Sequence, residues 1–572
     1  MKNGRMLLSN FNLLATAPGG VARLRELMLT LAVQGKLVPQ DPGDEPASVL
    51  LKKIRAEKDR LIAGGKIRRD KPLTKVADEE KPFEAPKGWE WSTLAAIGII
   101  NPRNNAADDV TASFVQMSSI PVAFSAPHII ELRPWRDIKS GFTQFAEGDV
   151  GVAKITPCFE NGKSTVFQNL SNGIGAGTTE LHIVRPMCEV APRYVLLFLK
   201  TPSFLVEGEA MMTGSAGQKR MPRNYFENKP FPLPPLPEQS RIVTRVDELM
   251  RTCDALEVKD KLEAAQHAQL LSTLLDTLTG SDTPEALAEN WQRIATHFDL
   301  LLDRPKAIDA FEQTILQLAV RGLLVPQDPS DEPASVLLQK IRAEKDRLIL
   351  EGKIKRDKPL PPIADEEKPF EVPQGWGWVR IDEIAEVQGG IQKTQLRRPI
   401  KEHYPYLRVA NVQRDALRLG EIERFELTKE ELAKWRLSAG DLLIVEGNGS
   451  ADEIGRCAVW TGEINPCVYQ NHLIRLRCVQ SASIAFTKLF LNAPSGTDEM
   501  KRLAITTSGL YNLSVGKIRN FVVPVPPLTE QSRIVARIEE LRRLCADLRQ
   551  CLSASQTTQA HLAEALMESV AR

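Results

Sequence analysis

Residues that could perform covalent chemistry are few in this chain, and their spacing argues against an active site. Gly162-Lys163-Ser164 has the end of a phosphate-cradling loop, but five positions before Gly162 stands Pro157, where that loop needs glycine. Asn101-Pro102 begins like the N-P-P-[FYW] tetrapeptide that holds a target amine in amino-methyltransferases, then continues Arg103-Asn104. Glu79-Glu80-Lys81 and its copy Glu366-Glu367-Lys368 imitate the E-x-K end of a nuclease site; both lie in Pro- and charge-rich stretches, where a solvated turn is the stronger reading. The 7 histidines have no triad-like local context. The 8 cysteines form no C-x-x-C pair, so neither zinc nor a redox couple is signalled, and they read as small core residues of a reduced cytoplasm.

Side chains able to recognise a ligand are more plentiful. Gln218, Lys219, Arg220, Arg223 and Asn224 fall on one Gly-rich loop. A second set comprises Arg408, Asn411, Gln413 and Arg414, then the segment from Asn448 to Arg456, then Ser508, Tyr511 and Asn512. Arginine and lysine suit guanine edges, asparagine and glutamine suit adenine edges, and the rest can hold phosphates. Taken singly, each is more often a solvated loop residue. The case rests on where in the chain they stand.

That placement is set by an internal repeat. Leu31 to Trp91, beginning LAVQGKLVPQD, returns as Leu318 to Trp378 with 13 differences in 61 positions, and PPLPEQSRIV from Pro234 returns as PPLTEQSRIV from Pro526. The chain is one unit used twice. Between the repeated flanks, 92–233 and 379–525 align poorly apart from echoes such as Phe145-Ala-Glu-Gly-Asp149 with Leu437-Ser-Ala-Gly-Asp441. Flanks held to a common requirement and inserts freed to differ place the candidate readers in the divergent parts. The boundaries read as 1–91, 92–233, 234–378, 379–525 and 526–572.

Each insert predicts a mixed α+β domain, with strands at Val150–Ile155, Leu181–Val184, Leu442–Val445 and Leu473–Leu476. After each insert, a run without Gly or Pro carries apolar residues at three-and-four spacing: Ile242, Val246, Leu249, Cys253, Leu256, Leu270, Leu274 and Leu278, then Ile534, Ile538, Leu541, Cys545, Leu548, Leu562, Leu566 and Val570. Such long stripes predict a coiled-coil-like pair, with helices packed on separate domains as the alternative. Charged helices expected at Pro46–Ile62 and Pro333–Ile349 carry Lys53 and Arg55 and their copies Lys340 and Arg342, candidate docking faces for two copies of one partner, against plain scaffold duplication. A balance of 74 Lys+Arg against 73 Asp+Glu gives no global basic field, so any nucleic-acid contact must be local. No apolar run is long enough for a membrane helix.

This architecture resembles the specificity subunit of type I restriction-modification systems, on the LAVxGxLVPQD and EKPFExPxGWxW segments before each insert and the Pro-Pro-Leu-x-Glu-Gln-Ser-Arg-Ile-Val segments after it. The resemblance implies two target recognition domains joined by a long-helix spacer under a pseudo-two-fold repeat, each domain reading one half of a split, asymmetric double-stranded DNA target. It implies a non-catalytic chain without cofactor that recruits two methyltransferase subunits using S-adenosylmethionine and, in the full complex, restriction subunits using ATP and Mg. Glu238, Gln239, Arg241, Glu530, Gln531 and Arg533 carry over as family signatures with a structural or subunit-contact role. Two other readings stand beside it: a chain that itself cuts or methylates DNA, and a duplicated protein-binding scaffold.

Overall fold

The computed structural model describes residues 10–67, 76–215, 217–281, 283–354, 360–392, 394, 401–447, 453–504 and 512–571. The α+β chain forms two compact units, Met1–Ala264 with Ala554–Arg572, and Ala265–Ser553.

In the first unit, helix α1 (Gly20–Val33) buries Leu24, Leu27, Met28 and Leu31 on one face. It ends in a Schellman turn: Lys36 N–H donates to Leu31 O at 2.9 Å, with Gly35 at φ 67°. Glycine is required twice over at this position, because a Cβ there would also stand 2.4 Å from Pro86 Cγ. Helix α2 (Ala47–Ala63) starts behind Pro46, its Ala47 N–H satisfied by Gly88 O at 2.9 Å. Strands β1 (Glu90–Thr93) and β2 (Pro230–Leu233) pair antiparallel at the base of the insert. Pro230 and Pro232 are tolerated because this ribbon has only two strands. Helix α3 (Leu236–Thr279, 44 residues) follows.

The second unit repeats the plan with α4 (Pro305–Val320), α5 (Ala334–Leu350), β3 (Gly377–Arg380) pairing with β4 (Val522–Val525), and α6 (Leu528–Ala571). Gly322 repeats Gly35, at φ 74° and with a Cβ 2.5 Å from Pro373 Cγ.

The repeated signatures, far apart in sequence, converge on one buried node per unit. Trp89 Nε1 donates to Glu238 at 2.9 Å, and Gln40 Nε2 donates to Glu238 at 3.2 Å and to Gly35 O at 2.6 Å. Trp376, Gln327, Glu530 and Gly322 make the same set at 2.9, 2.7 and 3.0 Å. Arg241 binds Asp44 and Arg533 binds Asp331, both at 2.6 Å. Burial pushes the Glu238 and Glu530 carboxyls up, against the pull of these donors. Gln239 donates to Pro234 O and accepts from Ala191 N–H, both at 2.9 Å, tying the start of α3 to the insert. Gln531 keeps the first bond, to Pro526 O, while its Oε1 is buried without a hydrogen-bond partner among the described residues.

These placements correct part of the subunit-contact expectation: Glu238, Gln239, Glu530 and Gln531 are buried in the fold and offer no surface to another chain. The long-helix stripe also shifts. Ile242, Val246, Leu249 and Cys253 enter the core of the first unit, but Leu271, Leu275 and Leu278 enter that of the second, and Leu270 is exposed. Likewise α6 contributes Ile534, Ile538 and Cys545 to the second core and Ala563, Met567 and Val570 to the first, leaving Leu562 exposed. Each helix gives its first buried residues to one core and its last to the other. Cys551 is exposed, contrary to a core role. The Glu-Glu-Lys segments form short 3-10 turns in which Lys81 pairs with Asp78 and Lys368 with Asp365.

Candidate nucleic-acid interface

The inserts share a framework that their sequences hide. In the first, Gly98–Ile100, Leu181–Pro186, Val150–Ala153 and Ser164–Val166 form a four-stranded antiparallel sheet in that order. In the second, Ala385–Gly389, Leu473–Cys478, Leu442–Val445 and Cys457–Val459 repeat that order. The echoed Gly-Asp pairs are the matching latches. Buried Asp149 accepts Ala146 N–H and binds Arg185 at 2.7 Å; buried Asp441 accepts Ser438 N–H and binds Arg477 at 2.7 Å. Burial raises Asp149 despite Arg185, whereas the Asp441 bond raises Arg477.

With the ladders matched, the loops beyond the central strands can be compared position by position. Lys154 N–H donates to Glu180 O and Glu446 N–H to His472 O, both at 2.9 Å. Met221 N–H donates to Lys154 O and Leu513 N–H to Glu446 O, both at 2.7 Å. Position 154 therefore corresponds to 446, 180 to 472 and 220 to 512. Arg220, at the end of the candidate loop, and Asn512 therefore stand at one place in the two domains, without sequence likeness.

In the first domain, Thr213 and Arg220 exchange backbone hydrogen bonds, so Gln218 and Lys219 sit at an exposed hairpin tip. Arg220 makes a forked bond to Glu180, the nearest contact 2.9 Å, which lowers that carboxyl's pKa. Arg223 pairs with Glu227, and Asn224 accepts from Asn228 at 2.8 Å, both on an exposed turn of helix beside the hairpin. His182 lies beneath them, stacked on Phe226, with Nε2 donating to Met221 O at 3.2 Å and Nδ1 buried without a hydrogen-bond partner among the described residues. Burial lowers its pKa to about 4.

In the second domain Arg408, Asn411, Gln413 and Arg456 come together. Arg408 binds Glu423 at 2.6 Å; Arg456 pairs with Glu453 and reaches Gln413 Oε1 at 3.3 Å. Asn411 is buried, accepting Arg408 N–H and donating to Arg418 O and Glu421 O, so its amide is occupied by the fold rather than offered to a base. Arg414 is partly buried beside this group. Asn512 is exposed, its backbone N–H on Ala504 O at 3.0 Å. Asn448, Ser508 and Tyr511 lie outside the described residues. Residues that sequence reasoning missed are Lys154, Glu180, Glu446 and His472. Their only sequence signal is that 154 lies at the end of the predicted strand Val150–Ile155, 446 directly follows Leu442–Val445, and 180 and 472 directly precede the partner strands.

Away from these loops, α2 and α5 present matching charged faces. Lys53 pairs with Glu45 and Lys340 with Glu332, both at 2.7 Å, Arg342 reaches Glu383 at 3.3 Å, and Arg55 is exposed. Among the described residues no helix is long and apolar enough to cross a membrane.

A family model for the type I restriction modification DNA specificity domain matches residues 373–554. Over 554 residues the chain is 44% identical to the EcoAI type I restriction enzyme specificity subunit of Escherichia coli, covering 96% of this chain and 93% of that one. With the EcoEI specificity subunit of the same species it is 44% identical over 557 residues, covering 96% and 93%. Among solved structures, it resembles a chain from a study of assembly and conformational transition in a type I R-M system (18% identity, TM-score 0.49, 86% of this chain and 99% of that one). It also resembles the HsdS subunit of Thermoanaerobacter tengcongensis (18% identity, TM-score 0.44, 86% and 98%).

Proposed function

This chain belongs to the type I restriction-modification specificity subunits, and from that premise we propose that its two inserts each read one half of a bipartite, asymmetric DNA target. The observation that carries this reading is the matched framework with unmatched loops: one sheet order, one Asp–Arg latch, and different side chains at one edge. A shared scaffold fixes where a base edge must lie, and unlike side chains there give unlike half-sites. Gln218, Lys219, Arg220, Arg223 and Asn224 serve the first half-site. Arg408, Gln413, Arg414, Asn448, Arg456, Tyr511 and Asn512 serve the second.

Helices α3 and α6, each shared by both units, set the half-site spacing. The repeated faces on α2 and α5 receive two methyltransferase subunits, and restriction subunits join in the full complex. Adenine methylation with S-adenosylmethionine and cleavage with ATP and Mg then fall to those partners, and the chain works in the cytoplasm. Local base contacts and partner subunits supply grip that a net charge of +1 does not.

The test exchanges residues 92–233 for the insert of a related subunit and sequences the methylated sites made by the assembled complex. One half-site should change and the other persist; change in both, or in neither, would overturn modular reading. Purified chain alone, given labelled S-adenosylmethionine and DNA, should transfer no label.

A further inference from the structure

Glu446 and Lys154 occupy one topological position with opposite charge. The Glu446 side chain is 19% exposed; its only ionic neighbour among the described residues is His472 Nδ1 at 3.9 Å, and none of those residues donates a hydrogen bond to its carboxylate. Burial raises its pKa, as expected of a carboxylate short of donors. Lys154, half-buried, has no hydrogen-bond acceptor for its ammonium among the described residues. Nearby Glu180 is taken up by Arg220, and His182 is neutral. Both charges have given up part of their hydration without receiving a hydrogen bond from a described residue, only the neighbouring charge of His472 for Glu446 and of Glu180 for Lys154. Each sits where its domain's candidate reading loop joins the sheet.

We propose that these are specificity-determining residues of opposite sign: the Glu446 carboxylate accepts from the exocyclic amine of a cytosine or adenine in one half-site, and the Lys154 ammonium donates to the O6/N7 edge of a guanine in the other. This rests on the inserts being base readers. A base offering a carbonyl to Glu446 sets two acceptors face to face and leaves the carboxylate unsatisfied, whereas an amine supplies the missing donor. The same logic with the signs reversed applies at Lys154.

The test uses the chain assembled with its methyltransferase partner on a library of randomised DNA, reading methylated sites by sequencing. Glu446→Gln should relax selectivity about tenfold or more at one position of one half-site, and Lys154→Met at one position of the other. Because no described residue donates to the Glu446 carboxylate, Glu446→Gln should leave the melting temperature of the complex unchanged or raise it. A lowered melting temperature, or both half-sites unchanged in both variants, overturns the assignment. So does a Lys154→Met complex that weakens on all sequences alike with a shallower salt dependence, the mark of a phosphate contact. If the unaltered complex yields no bipartite motif, the reading of the inserts as base readers falls first, and this assignment with it.

Discussion

His182 lies under the candidate loop of the first domain, beside Lys154, Arg223 and Glu180, with its ring kept neutral by burial. Folded, it titrates near 4, against about 6.5 in an unfolded chain. Between those values the unfolded chain binds the proton and the folded one does not, so this contribution to stability is full above about pH 6.5 and is lost as pH falls toward 4. Thermal melting of the full chain across that window should show the slope, and His182→Phe should flatten it. At the buried node, Trp89→Phe keeps the packing but takes away the indole donor, leaving Glu238 with a broken network; a loss of about 1–3 kcal/mol in denaturant melts is expected. Glu238→Gln in the same chain should cost less than the sum of the two single changes, because the two residues share one interaction.

Among elements, α3 distinguishes two adjacent leucines. Leu271 is 4% exposed in the second core and Leu270 is 54% exposed. Leu271→Ala should cost about 2–5 kcal/mol, while Leu270→Ala should stay within about 0.5 kcal/mol, as measured by denaturation. The three-and-four rule selects a face but not which neighbour covers it, and α3 passes from one core to another partway along. The end of α1 makes a companion case. Gly35→Ala must adopt a positive φ and push against Pro86 and Trp89, so it should destabilise by about 1–3 kcal/mol or more.

At the scale of the whole molecule, residues 554–572 complete the first unit although they lie at the far end of the sequence. Removing them takes Ala563, Met567 and Val570 from that core. Limited proteolysis of the truncated chain should cut within residues 1–264 before 265–553; protection of both units would show that the α6 end is dispensable.

The sequence by itself showed the duplication, the divergence of the inserts, the central strands of each domain and the absence of familiar catalytic motifs. Those features are written in local patterns: a repeated string, an alternation, a proline before a helix. It also marked Gly35, Gln40, Trp89 and Glu238 as members of repeated strings, yet not that they touch, since hydrogen bonds across 149 and 198 residues leave no trace in local spacing. The tertiary structure alone decided that Asn411 and Gln239 face inward, that α3 and α6 each serve two cores, and that Glu446 stands where Lys154 does. Correspondence between diverged domains is carried by backbone ladders, which hold the register of a sheet whatever side chains it bears.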